Sequence, residues 1–599
     1  MINGSWTVTA GPRVAAADES AAGSTAAELM AAALQHHGVE QIFAQSLPSA
    51  LILAAEDLGI RQVAYRTENA GGAMADGYAR CSNKIGVVAA QNGPAATLLV
   101  PPLAEALKSS VPVLALVQDV DRPNLDRNAF QELDHLGLFQ GCTKWVRRVQ
   151  DAERVEEYVS AAMVAASTGR PGPVALLLPA DLLKEETTTS HRRRRIGLGT
   201  WPIDRSSADP ESVRQVARLL SQAKQPVVIA GGGVLSSQAA EELSALQDLA
   251  SLPVGTTLMG KGSVDEQHPL SLGVLGALSG RLSLGHQTSA ILAEADFVLL
   301  VGTRTNQNGT DSWKMIPPQT VVAHLDVDGL EVGRNYDSLR LVGDAKLTLQ
   351  SLISVLRRED LSERSARRSD LERRIGSAKA RHADETNDLR HSVAAPIRPE
   401  RVMGELQKRL RPEDIVVADA SYSSMWVGGY LTALAPGMRF LTPRGLAGLG
   451  WGFPMALGAK LARPERSVFC FVGDGGFGHC WQELETARRM NIKVILTVLN
   501  NGVLGYQKDA EDVKFGRHTS ACTFADVDHR KIAEACGCLG FRVERADDYG
   551  DALDAAAEAD RPSLIEVMTD PLAYPPLTLF DGALGATREH KETSGSGAS

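Results

Sequence analysis

"GDGGFGHCWQELETARRMNIKVILTVLNNG", residues 473–502, is the stretch on which the reading of the fold turns. Asp474 sits in a glycine turn that closes the apolar run "SVFCFVGDG" (467–475), a helix-length polar segment follows, and a second apolar run, "KVILTVLNN" (493–501), ends in Asn500 and Asn501. A strand ending in Gly-Asp-Gly carries its carboxylate to the C-terminal edge of a parallel sheet, where α/β proteins bind ligands. Gly473 and Gly475 let a ligand approach the backbone, and the helix that follows opens with N–H groups that favour phosphate oxygens. The asparagine pair brings an amide oxygen to the same edge. One carboxylate, one amide oxygen and one main-chain carbonyl, joined by two phosphate oxygens, make a hard octahedral Mg²⁺ site. The alternative is a pair of ordinary turns, since Gly, Asp and Asn all favour them. The interval of 24 residues between the two signals makes the clamp the more specific reading.

Working outward, the chain has 599 residues, too many for one core. A hydrophobic share of 44% and a charged share of 22% are those of a globular protein. A net charge of −10, with both signs interspersed, argues against nucleic acid or an anionic membrane as the main partner. Seven cysteines form neither a disulfide framework nor a zinc pattern, and Cys536 and Cys538 stand too close for a C-x-x-C site. No apolar run reaches the ~18–20 residues of a membrane span. Residues 1–23 lack the basic and apolar regions of a signal peptide, so they are expected to be a flexible extension and the protein cytoplasmic.

Short β-branched runs such as "IGVVAA" (85–90), "VPVLALV" (111–117), "PVVIAGGG" (226–233) and "FVLLVGTR" (297–304) alternate with amphipathic stretches. Continuous rather than alternating hydrophobicity marks strands covered on both faces, hence parallel sheets in an α/β architecture. Polar breaks divide the chain into three doubly wound domains, 24–185, 205–355 and 395–575, with a linker at 186–204 and a charged linker or helix at 356–394. The "RRRR" run (192–195) reads as solvated linker. Residues 576–599 read as a tail with a possible lid, the closing segment itself spanning 571–586.

The GDG…NN spacing resembles that of the thiamine-diphosphate enzymes, and two further segments resemble that family as well. The resemblance implies that Asp474, Asn501 and the main-chain oxygen of Val503 hold Mg²⁺, while Gly473, Gly475, Gly476 and Gly505 line the diphosphate. "VAYRTENAGGAMADGYAR" (63–80) is similar to the family's pyrimidine-binding segment and puts Glu68 at the glutamate that shares a proton with the pyrimidine N1′. Such a carboxyl needs a desolvated site. "LTPRGLAGLGWGFPMALGAKLARPE" (441–465) resembles the stretch that bends the cofactor, with Leu449 as the wedge and the Ala447 carbonyl as partner of the amino group. In this family the pyrimidine domain serves the neighbouring subunit, which implies a homodimer or homotetramer with sites at the interface.

Within the family the chain looks most like the acetolactate synthases, from about 24 to 570. "QNGPAATLLVPPLAEALKSSVPVLALV" (91–117) and "RNAFQELDHLGLFQGCTKWVRRV" (127–149) bring Gln91, Asn92, Phe130, Gln131 and Lys144 into the expected cofactor and substrate channel. "HLDVDGLEVGRN" (324–335), with Asp326, and Arg304 in "GTRTNQNGTDSW" (302–313) look like a central domain that carries FAD or an ADP- or CoA-type nucleotide. The "AGGGVL" cluster lacks the G-x-G-x-x-G spacing, so a redox role is not expected. The segment after the asparagines, with Tyr506, Gln507 and Glu511, departs from the synthases, as does the loss of their acidic pair after Arg304.

The expected function is a carbon–carbon bond-forming or -cleaving enzyme working through a thiazolium-bound carbanion, most like a carboligase of 2-oxo acids. Alternatives are a 2-hydroxyacyl-CoA lyase releasing formyl-CoA, a sulfoacetaldehyde acetyltransferase-like enzyme, which "AQNGP" (90–94) resembles, and a silent regulatory subunit.

Overall fold

The computed structural model describes residues 24–188 and 196–584. The 1–23 extension, the arginine run at 192–195 and residues 585–599 lie outside the described residues.

The apolar runs become buried strands of three six-stranded sheets. The N-terminal sheet contains Gln41–Ala44 (β1), Arg61–Val63 (β2), Gly86–Ala90 (β3), Val113–Asp119 (β4), Trp145–Arg148 (β5) and Val174–Pro179 (β6). The central sheet contains Pro226–Ala230 (β7), Val254–Thr256 (β8), Ser271–Val274 (β9), Phe297–Val301 (β10), Val321–Asp326 (β11) and Leu339–Val342 (β12). The C-terminal sheet contains Ile415–Ala418 (β13), Arg439–Leu441 (β14), Val468–Gly473 (β15), Ile495–Asn500 (β16), Leu539–Val543 (β17) and Ser563–Met568 (β18). Every pairing within these sheets is parallel.

Strand order separates the domains into two kinds. The outer sheets run β2-β1-β3-β4-β6-β5 and β14-β13-β15-β16-β18-β17, the same path traced twice. The central sheet runs β9-β8-β7-β10-β11-β12, the Rossmann order, whose direction reverses between β7 and β10. That reversal opens a crevice at the strand ends, here at Gly231–Gly233 and Gly302.

The outer domains pack through helices Glu68–Ser82 and Gly452–Ala462, which share one core containing Met74, Tyr78, Met455 and Leu457. Glycines let the helix backbones touch. A Cβ added at Gly458 would stand 1.9 Å from the Met74 carbonyl oxygen, and one at Gly77 would stand 2.1 Å from that of Met455. The charged segment forms the 29-residue helix Ser362–Arg390, which inserts Leu371 and Ile375 into the central core. Its buried Arg364 donates to the carbonyls of Ala250, Ser251 and Lys224.

Residues 571–584 run back across the central domain. Thr578 N donates to Ala277 O at 3.0 Å and its hydroxyl to Asp311 Oδ1 at 2.6 Å, while buried Phe580 packs edge-on against Tyr422 and tilted against Tyr506. No helix among the described residues is long and apolar enough to cross a membrane.

Candidate active site

β15 and β16 are hydrogen-bonded neighbours, so Asp474 and Asn501 emerge at adjoining strand ends. Between them the helix expected after Gly475 arrives as two short pieces, Asp474–Phe477 and Glu483–Arg489. Gly475, Gly476 and Gly478 weaken helix propagation. Gly476 is needed for space, since a Cβ there would meet the Asp419 carboxylate at 2.2 Å.

The asparagine pair divides its labour. Asn500 points into the sheet and donates to Glu566 Oε1 at 2.8 Å, whereas Asn501 stands beyond the strand and lines a cavity of about 50 Å³. That cavity is also bounded by Gly473, Asp474, Gly475, Gly476, Val503 and Gly505. Asp474 Oδ2 accepts the Gly502 N–H at 3.0 Å and Asn501 Oδ1 accepts that of Val503 at 3.2 Å. Burial pushes the Asp474 carboxyl up to about 6, more than backbone N–H groups and His529 pull it down. A carboxylate, an amide oxygen and a main-chain carbonyl on one glycine-lined wall suit a hard cation and a diphosphate.

Leu449 lines this cavity and also a second one, of about 600 Å³, that reaches the central crevice. Arg304, Asp326, Ala447, Tyr506 and Gln507 line the larger cavity. Ala447 adopts φ +63°, a conformation that costs a non-glycine residue energy and turns its peptide group. Asp419, wholly buried at the end of β13, accepts the N–H groups of Gly450, Trp451 and Gly452 at 2.9–3.1 Å and so pins the loop carrying Leu449. Glu511 accepts from Gln507 Nε2 at 2.8 Å and steadies it one turn away. Burial holds the Arg304 guanidinium below its usual value and pushes Asp326 up to about 6.

The N-terminal candidates are held apart from both cavities within one chain. Glu68 opens helix Glu68–Ser82 beside Thr67, the N-cap, and its carboxylate makes no hydrogen bond or ion pair among the described residues. The fully buried Glu483 accepts the N–H groups of Arg66 and Thr67 at 3.2 and 3.1 Å, which fixes the chain entering Glu68. Gln91 Nε2 donates to Gln131 Oε1 at 2.7 Å, and Asn92 Nδ2 donates to the carbonyls of Phe130 and Gln131, so these four form one cluster with the Phe130 ring 85% exposed. Lys144 donates to the carbonyls of Thr168 and Arg170 and touches neither cavity.

Comparison with known proteins adds the decisive observation. Three models of thiamine pyrophosphate enzyme domains match in succession: the N-terminal binding domain over residues 24–138, the central domain over 213–352 and the C-terminal binding domain over 419–567. The chain belongs to the thiamine pyrophosphate enzymes. A probable acetolactate synthase large subunit of Methanococcus aeolicus is 32% identical over 94% of this chain and 96% of its own. An acetolactate synthase of Mycobacterium bovis is 32% identical over 90% and 87%. As a member of this family the chain is a thiamine-pyrophosphate-dependent enzyme, and its two like-ordered sheets are the two binding domains.

Sequence reasoning missed Asp419, Glu483 and Arg444, the last a guanidinium on the wall of the larger cavity. Asp419 carried a readable signal, an acid ending the short apolar run "DIVVADA" (414–420), as Asp474 does. Glu483 and Arg444 carried none, because their partners or surroundings come from distant segments.

Proposed function

We propose that this enzyme is a carboligase of the acetolactate synthase type, acting on 2-oxo acids with thiamine diphosphate and Mg²⁺. The observation that carries the reading is the small glycine-lined cavity in which Asp474, Asn501 and Val503 converge, joined through Leu449 to a cavity large enough for substrate. Asp474, Asn501 and the Val503 carbonyl would hold Mg²⁺, and the glycines would let the diphosphate lie against the backbone. Bound there, thiamine diphosphate supplies a nucleophilic carbon and an electron sink for decarboxylation. Leu449 would wedge beneath the cofactor and Ala447 would accept from its amino group. Glu68, from a second subunit, would hold a proton at the pyrimidine N1′, which makes the working unit a homodimer or homotetramer. Asp419 keeps the wedge loop in place, and the apolar walls exclude water from the reacting carbon.

The Rossmann order of the central sheet supports a nucleotide there, either FAD or an ADP- or CoA-type molecule. A CoA ligand would favour the 2-hydroxyacyl-CoA lyase reading, and the absorption spectrum of the purified protein separates a flavin from the rest. Seven cysteines, all free, suit the reducing cytoplasm.

The test is titration calorimetry with thiamine diphosphate. Wild type is expected to bind in the presence of Mg²⁺ and to lose the signal with EDTA. Asp474→Asn should bind at least about 100-fold more weakly, since a ligating carboxylate is lost. Glu68→Gln should bind the cofactor and fail to turn over pyruvate. Cofactor affinity unchanged in Asp474→Asn, or full turnover by Glu68→Gln, would overturn the reading.

A further inference from the structure

Three strand ends of the N-terminal sheet are joined by a chain of hydrogen bonds that borders neither cavity. Arg148, which ends β5, donates from Nε to Oδ2 of Asp119, which ends β4, at 2.6 Å. Asp119 Oδ1 lies 3.0 Å from His135 Nδ1 and also accepts the Val120 N–H at 3.0 Å. His135 opens the short helix His135–Gln140, and its Nε2 stands 2.9 Å from the main-chain nitrogen of Gly93, just beyond the end of β3. Asp119 and His135 are both buried.

These partners fix the state of the ring. A main-chain N–H can only donate, so Nε2 is the acceptor, the proton sits on Nδ1, and the imidazole is neutral. Asp119 holds that tautomer, as a carboxylate behind an imidazole does. Burial would raise the Asp119 carboxyl, but the bonds from His135 and Arg148 bring it below its usual value, so it stays an acceptor. Both ring nitrogens are engaged, which leaves His135 no direct part in chemistry.

What hangs on Gly93 is the cluster of Gln91, Asn92, Phe130 and Gln131. Gly93 adopts φ +63°, and a Cβ there would stand 2.7 Å from Gln131 Cβ and 2.9 Å from the Gln131 carbonyl oxygen. Gln131 itself sits at φ +60°. Two turns of left-handed backbone thus press on each other, an arrangement that persists only where neighbours hold it. The bonds made by Gln91 and Asn92 tie the two loops to one another. The bond from Gly93 to His135 ties them to the sheet.

We infer that His135, locked by Asp119, is a positioning residue that anchors Gly93 and so aims the Gln91–Gln131 pair and the Phe130 ring at the active site of a second subunit. This rests on the carboligase reading, in which the cluster faces the substrate channel. Two amides separate such a role from packing. Asparagine reaches about as far as Nδ1 and keeps a bond to Asp119, but leaves Gly93 without an acceptor. Glutamine reaches about as far as Nε2 and can accept from Gly93, while Asp119 keeps Val120 and Arg148. A histidine that only filled the core would be replaced at least as well by asparagine.

The test compares full-length wild type, His135→Asn and His135→Gln. Hydrogen exchange at the Gly93 amide, read by mass spectrometry without cofactor, should be at least tenfold faster in His135→Asn and within about threefold of wild type in His135→Gln. With thiamine diphosphate, Mg²⁺ and pyruvate, kcat should fall at least tenfold in His135→Asn and return to within about threefold in His135→Gln. Thiamine diphosphate affinity should stay within about threefold in both, since Asp474 and Asn501 lie on another domain. Equal exchange in the two variants, glutamine behaving worse than asparagine, or an unchanged kcat despite a freed Gly93 would overturn the inference. If wild type turns over no pyruvate, the proposed function fails, while the exchange comparison still decides whether His135 anchors Gly93. Should neither variant fold, wild type carries the test: slow exchange at Gly93 supports the anchor, and exchange as fast as that of the exposed amides overturns it.

Discussion

At the scale of single residues, burial sets the charges that matter, and Asp326 shows the sign. Its carboxyl, at the end of β11, is pushed up to about 6 by burial, so ionising it costs the folded state free energy. The penalty is absent near pH 4, grows between pH 4 and 6, and is complete above that. Asp326→Asn keeps the acceptor for the Asp328 N–H, bonded at 2.9 Å. It should raise the melting temperature at pH 8, by the equivalent of about 1–2 kcal/mol, and leave it unchanged at pH 4. Equal shifts at both pH values would contradict this account. Neighbouring His324 works the other way. It is held at about 4 by burial, so its contribution is present above pH 6.5 and lost as pH falls towards 4. The variant must therefore be compared with wild type at each pH rather than judged from the whole-protein curve.

At the scale of elements, the contact between helices Glu68–Ser82 and Gly452–Ala462 is where one methyl group decides stability. Gly458→Ala places a Cβ 1.9 Å from a main-chain carbonyl that cannot step aside, so the helices must separate. A loss of at least about 2–3 kcal/mol is expected, read as a lower melting temperature. Gly376, inside helix Ser362–Arg390, has open space where a Cβ would go. Gly376→Ala should therefore stabilise by about 0.5–1 kcal/mol through helix propensity. Opposite signs from the same substitution in two helices would establish that packing, not propensity, sets the first. That contact also aims Glu68, since the chain entering its helix is held by Glu483 from the other domain.

At the scale of the whole molecule, buried polar links tie the domains together. Lys261 of the central domain pairs with Glu266 at 2.6 Å, and Glu266 accepts the Ala433 N–H of the C-terminal domain at 2.8 Å. Lys261→Met leaves that carboxylate buried without its cation and should cost about 3–5 kcal/mol. The expected readout is earlier melting with faster proteolysis at the junction between these domains. Lys261→Met combined with Glu266→Gln should recover part of the loss, and no recovery would mean that the cation acts through packing alone. Leu577 and Leu579, in the segment 571–584 that runs back across the central domain, line the larger cavity.

By itself the sequence determined the layers and the cofactor. Short continuous apolar runs rich in β-branched residues mark strands buried on both faces, and the spacing of two such strand ends ties Asp474 and Asn501 to one sheet edge. Tertiary structure decided what lies between distant segments. It turned Asn500 towards Glu566 and left Asn501 for the cavity, broke the helix after Asp474 to make room for Asp419, and set His135 between Asp119 and Gly93. Periodicity is a local property of the chain and can be read along it. Whether a buried carboxylate or guanidinium finds a partner depends on residues hundreds of positions away, which only the packed molecule brings within reach.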